Sequence, residues 1–512
     1  MRKLYAIRNT ILALLSQVLI TLILFVNRKA FAVILGKAYL GVNGLFSDIL
    51  GMLAVAELGI GTAIVFALYE PIAKNDTKRV GALINFYKKA YWIIGTIMAV
   101  AGIAIIPFLP YIVSDVVTIE HYRIIYIIVL ANSIVTYFFS YKITIITVVQ
   151  KSYIQNICTT IANFVQTIGQ LFVLIITKNY IFYLIIQFVC TLAMNIVLSN
   201  ISNRMYPEYF KKENMTRLGR DEQKSLVKNI KALFLHRIGT FLVKGTDNII
   251  ITMFLGLVSG GVYSNYNMIF SNISRYFGLC YNAITATVGN YNVTEEKSKT
   301  EQMFYNINFL SFSGSILVTV VLLCATESFI ALWLGTDYLD SFGVTVMLAL
   351  TFYLSQVRAA IYVVKNAQGI FYEDRFKPIV ESIVNLVVSV IFVKRFGVVG
   401  VLIGTFVSGF FVGLIVEIYV VYKYGFKSSP KPYITKNLLY LLCGFFSAGI
   451  SCFICGHISI NNIFTLILRC VIASLVTLVI IFIMFNKSAE FKFFRGIIIG
   501  LINKFWGRKT CE

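Results

Sequence analysis

Residues 228–269 have the sequence KNIKALFLHRIGTFLVKGTDNIIITMFLGLVSGGVYSNYNMI, two apolar segments with charged residues inside the first. In an α-helix, Arg237 and Lys244 would share one face about two turns apart. A charge near the centre of a bilayer costs on the order of 2.5–3.5 kcal/mol, so two cations on one face favour a wet, protein-lined interior. In the alternative, Asp247 neutralises Lys244 and Arg237 extends to the membrane surface.

The composition of the whole chain is that of a polytopic membrane protein. Of the 512 residues, 58% are hydrophobic and 13% are charged, and the mean hydropathy is +0.81. Long apolar runs with only 7 prolines favour helices over a β-barrel. The sequence therefore predicts an all-α fold with about 14 transmembrane helices. The predicted spans lie near 9–35, 41–68, 86–109, 122–147, 154–176, 180–202, 229–255, 262–288, 304–325, 341–364, 378–394, 398–422, 437–457 and 462–485.

Part of the opening stretch repeats an earlier segment. Residues 255–269 align with 35–49 and keep both glycines at the same spacing, Gly36 and Gly41 in the first copy and Gly256 and Gly261 in the second. Because an even number of predicted spans separates the copies, both cross the membrane in one direction. Such parallel repeats are related by a pseudo-two-fold axis along the membrane normal, so we expect two six-helix lobes around a central cleft.

This repeat and the hydropathy divide the chain into five predicted parts. They are an N-terminal six-helix lobe at 1–202, a cytoplasmic linker at 203–228, a C-terminal six-helix lobe at 229–425, two further helices at 426–486 and a tail at 487–512.

The net charge of +22 is explained first by topology. Lysines and arginines concentrate in alternate loops, and the positive-inside rule is then met with both termini in the cytoplasm. The tail alternates basic and aromatic residues, which is typical of an amphipathic segment lying on an anionic lipid surface. A plain positively charged topology anchor is equally compatible with it.

No constellation typical of an enzyme is present. The chain has no P-loop motif and only 3 histidines, none beside a nucleophile and an acid in a known pattern. Cys452, Cys455 and His457 are the only cluster that resembles a metal site, and they lack a second pair of ligands. The sequence therefore predicts a protein that is not an enzyme and needs neither a metal nor a cofactor.

Charged residues inside the predicted spans are the candidate site. Cations exceed acids there, and an anionic substrate explains this excess better than structure alone, because unpaired buried cations are costly. The predicted substrate-binding cations are Arg28, Arg237, Lys244, Arg275 and Arg358. Glu57 and Asp247 are candidates for ion coupling or for structural pairing, for instance in a bridge between Glu57 and Arg275.

Two segments carry a resemblance to a known family. The sequence Glu-Leu-Gly-Ile-Gly-Thr-Ala at 57–63 and the segment 246–266 resemble the bacterial polysaccharide transport family, the Wzx-type flippases of the multidrug/oligosaccharidyl-lipid/polysaccharide exporter superfamily. The resemblance implies a V-shaped pair of lobes that works by alternating access. It also implies transport of undecaprenyl-diphosphate-linked oligosaccharide repeat units to the outer leaflet of the bacterial cytoplasmic membrane, for O-antigen, capsule or exopolysaccharide assembly.

The resemblance has further implications for partners and for the last helices. A polysaccharide polymerase machinery would take up the product. The related lipid II flippases use arginines in their cavity and a groove formed with two extra helices. By position, the spans within 426–486 would be those helices here.

Alternatives remain at this point. A multidrug or cation antiporter of the same fold would need an acid-rich cavity, whereas cations predominate here. A lipid II-type flippase is a second alternative. A membrane scaffold or a polymerase-type glycosyltransferase is a third, and the enzyme would need a larger outer loop than the sequence offers.

Overall fold

The structure is a computed structural model that describes residues 2–57, 60–224, 226–227, 230, 245–294, 297–368, 370, 373–458 and 462–507. Over these residues the regular structure is helical, without a β-strand. Among them, 11 helices are long and apolar enough to cross a membrane. The chain is therefore an all-α, multi-pass membrane protein, as the sequence predicts.

The chain divides into two compact units, Met1–Ser264 and Asn265–Glu512. The first unit contains nine numbered helices, and a further helix begins near its end and continues into the second unit. These helices are α1 (Arg2–Leu35), α2 (Lys37–Leu53), α3 (Ile60–Ala73), α4 (Thr77–Ile105), α5 (Leu109–Ile112), α6 (Tyr122–Val135), α7 (Tyr137–Val148), α8 (Ser152–Thr177), α9 (Tyr180–Met205) and α10 (Asp247–Thr294).

The second unit continues with seven numbered helices, and two π-helical segments, Ser408–Leu414 and Val421–Phe426, flank the shortest of them. The helices are α11 (Lys297–Trp333), α12 (Phe342–Gln368), α13 (Lys377–Val407), α14 (Ile415–Val420), α15 (Lys431–Gly456), α16 (Ile463–Phe485) and α17 (Ala489–Gly507).

Glycine bends account for much of the difference between the candidate spans in the structure and those predicted from sequence. The spans predicted near 378–394 and 398–422 form one apolar stretch, Lys377–Phe426, with a sharp bend at Gly397, where φ is 59°. A residue without a Cβ adopts this conformation readily, so two helices meet there without an intervening loop. The span predicted near 41–68 is divided between α2 and α3, and much of 229–255 lies outside the described residues.

The repeated glycines share one backbone conformation. Gly36 has φ 85° and ψ −177°, and Gly256 has φ 85° and ψ 170°. A Cβ on Gly41 would overlap the carbonyl oxygen of Leu257, and a Cβ on Gly261 would overlap that of Lys37. Since the alignment pairs 37 with 257 and 41 with 261, the contact is reciprocal, as in a two-fold interface. The repeat therefore brings its two copies together through glycines.

The predicted linker lies against the first unit. We call residues 206–224 the strap. A Cβ on Gly81 of α4 would overlap the backbone of Asn214, and Asn85 donates to the carbonyl oxygen of Met215 at 3.0 Å. Tyr209 is buried in the core of the unit. The strap is thus packed along one end of α4.

The last three helices pack on α11. Phe312 stacks on Tyr440 of α15 with ring centroids 4.1 Å apart, and Phe309 lies 5.9 Å from Phe485 of α16. The ring of Phe491 in α17 also contacts Phe309, at 6.4 Å. The start of the predicted amphipathic tail is therefore anchored by aromatic packing.

Candidate functional site

A polar cluster surrounds Arg28 in the first unit. Asn27 is buried, donates to Gln170 of α8 at 2.7 Å and accepts from the hydroxyl of Tyr183 at 3.2 Å. The guanidinium of Arg28 donates to the hydroxyl of Ser264. Buried polar groups are stable only when their hydrogen bonds are made, so these partners hold the end of α1 in place. Arg28 therefore connects α1 to the second copy of the repeat.

A second contact joins the first copy of the repeat to the start of α10 and involves a carboxylate that is not among the residues predicted from the sequence. Asn248 donates to Asp48 at 2.7 Å. A Cβ on Gly44 would lie 2.8 Å from the amide nitrogen of Asn248, so glycine provides room for this side chain. Gly44 and Asp48 lie one turn apart on the same face of α2. A small residue one turn from an acid is the sequence signal that could have indicated a contact at Asp48.

The most densely charged site of the second unit is centred on Arg358, on α12. Its guanidinium donates to both oxygens of Glu381 at 2.5 and 3.0 Å and to both oxygens of Glu417 at 3.1 and 2.8 Å. Lys377 also pairs with Glu417 and lies 3.9 Å from Glu381. We call these four residues the charge network. Two cations and two carboxylates leave it with no net charge.

The charge network is buried between helices. The side chains of Glu381, Glu417 and Lys377 are 3%, 0% and 2% exposed. Isolated charges at such burial would cost several kcal/mol each, and the paired, bidentate geometry offsets that cost. Gly413 lies against the guanidinium of Arg358, where a Cβ would overlap it. Arg358 is thus ion-paired with two buried carboxylates.

A further buried pair lies close to the charge network. Lys365 and Asp374 are ion-paired and each 1% exposed. The ring of Tyr362 lies 5.2 Å from the ammonium groups of both Lys365 and Lys377. The sequence predicts Arg358 as a site residue but not its partners. Glu381 and Glu417 lie on other helices, far from Arg358 in sequence, and no local pattern connects them.

Glu57 is held by tyrosines of the first unit. It accepts a hydrogen bond from Tyr91 at 2.5 Å, and the ring of Tyr91 lies 4.5 Å from that of Tyr87. A Cβ on Gly61 would lie 2.9 Å from the hydroxyl of Tyr91. Glu57 thus contacts Tyr91 through its carboxylate, and the absence of a Cβ at Gly61 leaves room for the Tyr91 hydroxyl.

The remaining predicted site residues are differently placed. Arg275 is exposed on α10, and none of the described carboxylates of the second unit lies within ion-pairing distance of it. Asp247 is buried at the start of the same helix. Arg237 and Lys244 lie outside the described residues. Arg28 and Asp247 thus belong to the first unit, and Arg275 and Arg358 belong to the second.

The cysteine and histidine cluster has no metal-like arrangement. Within the described ranges, no group of three or more potential ligands converges. Cys452 lies 3.8 Å, sulfur to sulfur, from Cys324, and His457 pairs with the backbone carbonyl of Phe453 at 2.8 Å.

The chain matches known proteins both by sequence family and by fold. A family model described as polysaccharide biosynthesis protein matches residues 6–288. No curated protein matches the sequence. The structure is similar to the lipid II flippase MurJ in an inward closed conformation, with 16% identity, a TM-score of 0.64 and coverage of 94% of this chain and 99% of that chain.

Multidrug transporters have the same fold. A MATE family transporter in an inward-facing conformation matches with 14% identity and a TM-score of 0.59 over 80% of this chain and 98% of that chain. A Vibrio cholerae MATE transporter, VcmN, matches with 12% identity and a TM-score of 0.53 over 82% of this chain and 97% of that chain. These neighbours are transporters and a flippase, not enzymes, in agreement with the sequence prediction.

Proposed function

This chain belongs to the polysaccharide biosynthesis protein family, and from that premise we propose that it is a flippase for undecaprenyl-diphosphate-linked oligosaccharide repeat units. It would move them from the inner to the outer leaflet of the bacterial cytoplasmic membrane by alternating access. Assembly of O-antigen, capsule or exopolysaccharide would then use the product, through a polymerase machinery. The observation that carries the proposal is the family match on a chain whose fold is that of a lipid-linked substrate flippase over 94% of its length.

The physical demands of this substrate agree with the proposal. Each sugar hydroxyl costs several kcal/mol to strip of water in hydrocarbon, whereas a polar cleft removes that cost while the polyprenyl tail stays in lipid. The diphosphate suits arginine, whose guanidinium binds phosphate oxygens bidentately. A cytoplasm-negative potential favours outward movement of negative charge by about 2.3 kcal/mol per charge per 100 mV.

The charges of the second unit support a flippase over a multidrug antiporter. An antiporter needs carboxylates free to hold protons or cationic drugs. Glu381 and Glu417 are already neutralised by Arg358 and Lys377. Arg275 is exposed and has no ion-pair partner among the described carboxylates of the second unit.

We assign substrate binding to Arg28, Arg237, Lys244 and Arg275, and a structural role to Arg358. The termini lie in the cytoplasm in this proposal, as the distribution of lysine and arginine requires.

The test is flipping in reconstituted vesicles. Purified protein is placed in liposomes with a fluorescent undecaprenyl-diphosphate-linked oligosaccharide, and exposure of the label to an impermeant quencher is followed. We expect faster exchange than in protein-free vesicles, and no effect on efflux of a cationic dye. Dye efflux coupled to protons or sodium, without glycolipid exchange, would establish the antiporter instead. Equal exchange of lipid II would favour the lipid II-type alternative.

A further inference from the structure

The first unit has a sharp border between its polar and its lipid-facing surfaces on α4. From Trp92 onward, the helix exposes large apolar side chains on one stripe, namely Trp92, Ile93, Ile97, Val100 and Ile103. One turn before Trp92 lie two lysines, the half-buried Lys88 and the exposed Lys89, and the strap packs along the preceding turns. Tryptophan is enriched where hydrocarbon meets the polar headgroups. The border at Trp92 therefore marks the membrane–water interface on the strap side.

Two lysines from different helices approach the same aromatic ring at this border. The ammonium groups of Lys88 on α4 and Lys142 on α7 each lie 5.8 Å from the ring centroid of Tyr141. Lys88 also lies 5.9 Å from the ring of Trp92, and Lys142 lies 5.9 Å from that of Phe210, a residue of the strap. Tyr141 is buried, and both lysines are half-buried.

The contacts of these lysines are aromatic rather than ionic. None of the described carboxylates of the first unit lies within ion-pairing distance of Lys88 or Lys142. Cation–π contacts stabilise an ammonium group but leave its charge in place. Two like charges around one ring therefore form a concentrated positive site that an anion would neutralise.

We propose that Lys88, Trp92, Tyr141 and Lys142 bind the phosphate of an anionic phospholipid such as phosphatidylglycerol. The ligand is inferred from position and charge together. The site lies at the depth of the lipid headgroups, and its two lysines are not paired with a carboxylate of the first unit. The apolar stripe of α4 continues from it in the direction that the acyl chains would take. Phe210 would make the bound lipid a neighbour of the strap. The proposal uses none of the residues assigned to substrate binding and does not depend on the proposed function.

Native mass spectrometry of the full-length protein in detergent tests the site. Phosphatidylglycerol or phosphatidylcholine is titrated in, and bound lipid is counted for the native chain and for the double variant Lys88→Gln/Lys142→Gln. We expect the double variant to lose about tenfold in affinity for the first phosphatidylglycerol, because a lysine at an anionic surface contributes to binding through its charge. The variant Lys88→Arg/Lys142→Arg keeps both charges and should retain binding.

The matched control is Lys89→Gln, which removes an exposed lysine from the next position on the same helix. It should bind phosphatidylglycerol like the native chain. If Lys89→Gln and the double variant lost affinity for phosphatidylglycerol equally, the effect would come from net charge alone and the proposal would be overturned. So would equal binding of phosphatidylcholine, or displacement of the lipid by inorganic phosphate at matched concentration, which would indicate a site for free anions.

Discussion

Arg358 and Arg275 show how differently two arginines of the second unit are placed. Arg358 neutralises two carboxylates that are almost fully buried, whereas Arg275 is exposed. Removing one partner of a buried ion pair leaves an uncompensated charge, which typically costs about 3–5 kcal/mol. We therefore expect Arg358→Ala to lower the thermal unfolding midpoint and the abundance of the protein strongly, as measured by fluorescence-detected size-exclusion chromatography after heating.

Arg275→Ala is the matched variant for function. It should leave the unfolding midpoint unchanged and abolish most of the glycolipid exchange in the vesicle assay. If bidentate geometry matters, Arg275→Lys fails as well; if charge alone matters, it keeps part of the activity. A native unfolding midpoint for Arg358→Ala would remove the structural role assigned to the charge network, and unchanged exchange in Arg275→Ala would remove Arg275 from the substrate site.

At the scale of the elements, the reciprocal glycine contact holds α2 against α10. Gly41→Ala and Gly261→Ala each introduce a methyl group where the opposing backbone already lies. Overpacking of this kind costs typically about 1–3 kcal/mol. We expect each variant to unfold at a lower temperature than the native protein, and the double variant to lose less than the sum because both changes separate the same two helices.

Gly278→Ala provides the comparison, since it lies on α10 and a Cβ there would have no neighbouring atom within 4 Å. It should be neutral or slightly stabilising, as alanine is a better helix former than glycine. If Gly41→Ala lowers the unfolding temperature no more than Gly278→Ala does, then α2 and α10 can move apart without a cost in stability.

At the scale of the whole molecule, the orientation in the membrane follows from the distribution of charge. The loops rich in lysine and arginine are expected to stay in the cytoplasm. Reporter fusions after Lys228 and after Glu512 should therefore both give a cytoplasmic signal. An external signal from either fusion would require a different topology, and one from the fusion after Lys228 would place the strap on the outer side.

The sequence by itself determined the membrane class, the helical content and the repeated glycines. Each of these is a local property, because apolar run length specifies a span and a φ of 85° with an extended ψ is essentially restricted to glycine. The equivalence of Gly36 and Gly256, visible as spacing, reappears as the same backbone conformation.

Only the tertiary structure decided which charges are paired. Arg358 and Glu417 are separated by 59 positions, and no periodic pattern links them, because ion pairing depends on which helix faces meet. The position of the strap has the same cause. Hydropathy predicts it only as a loop, whereas its packing along α4 depends on contacts with Gly81 and Asn85. A side chain's chemistry is written in the sequence, but its electrostatic role is set by the neighbours that packing brings within a few ångströms of it.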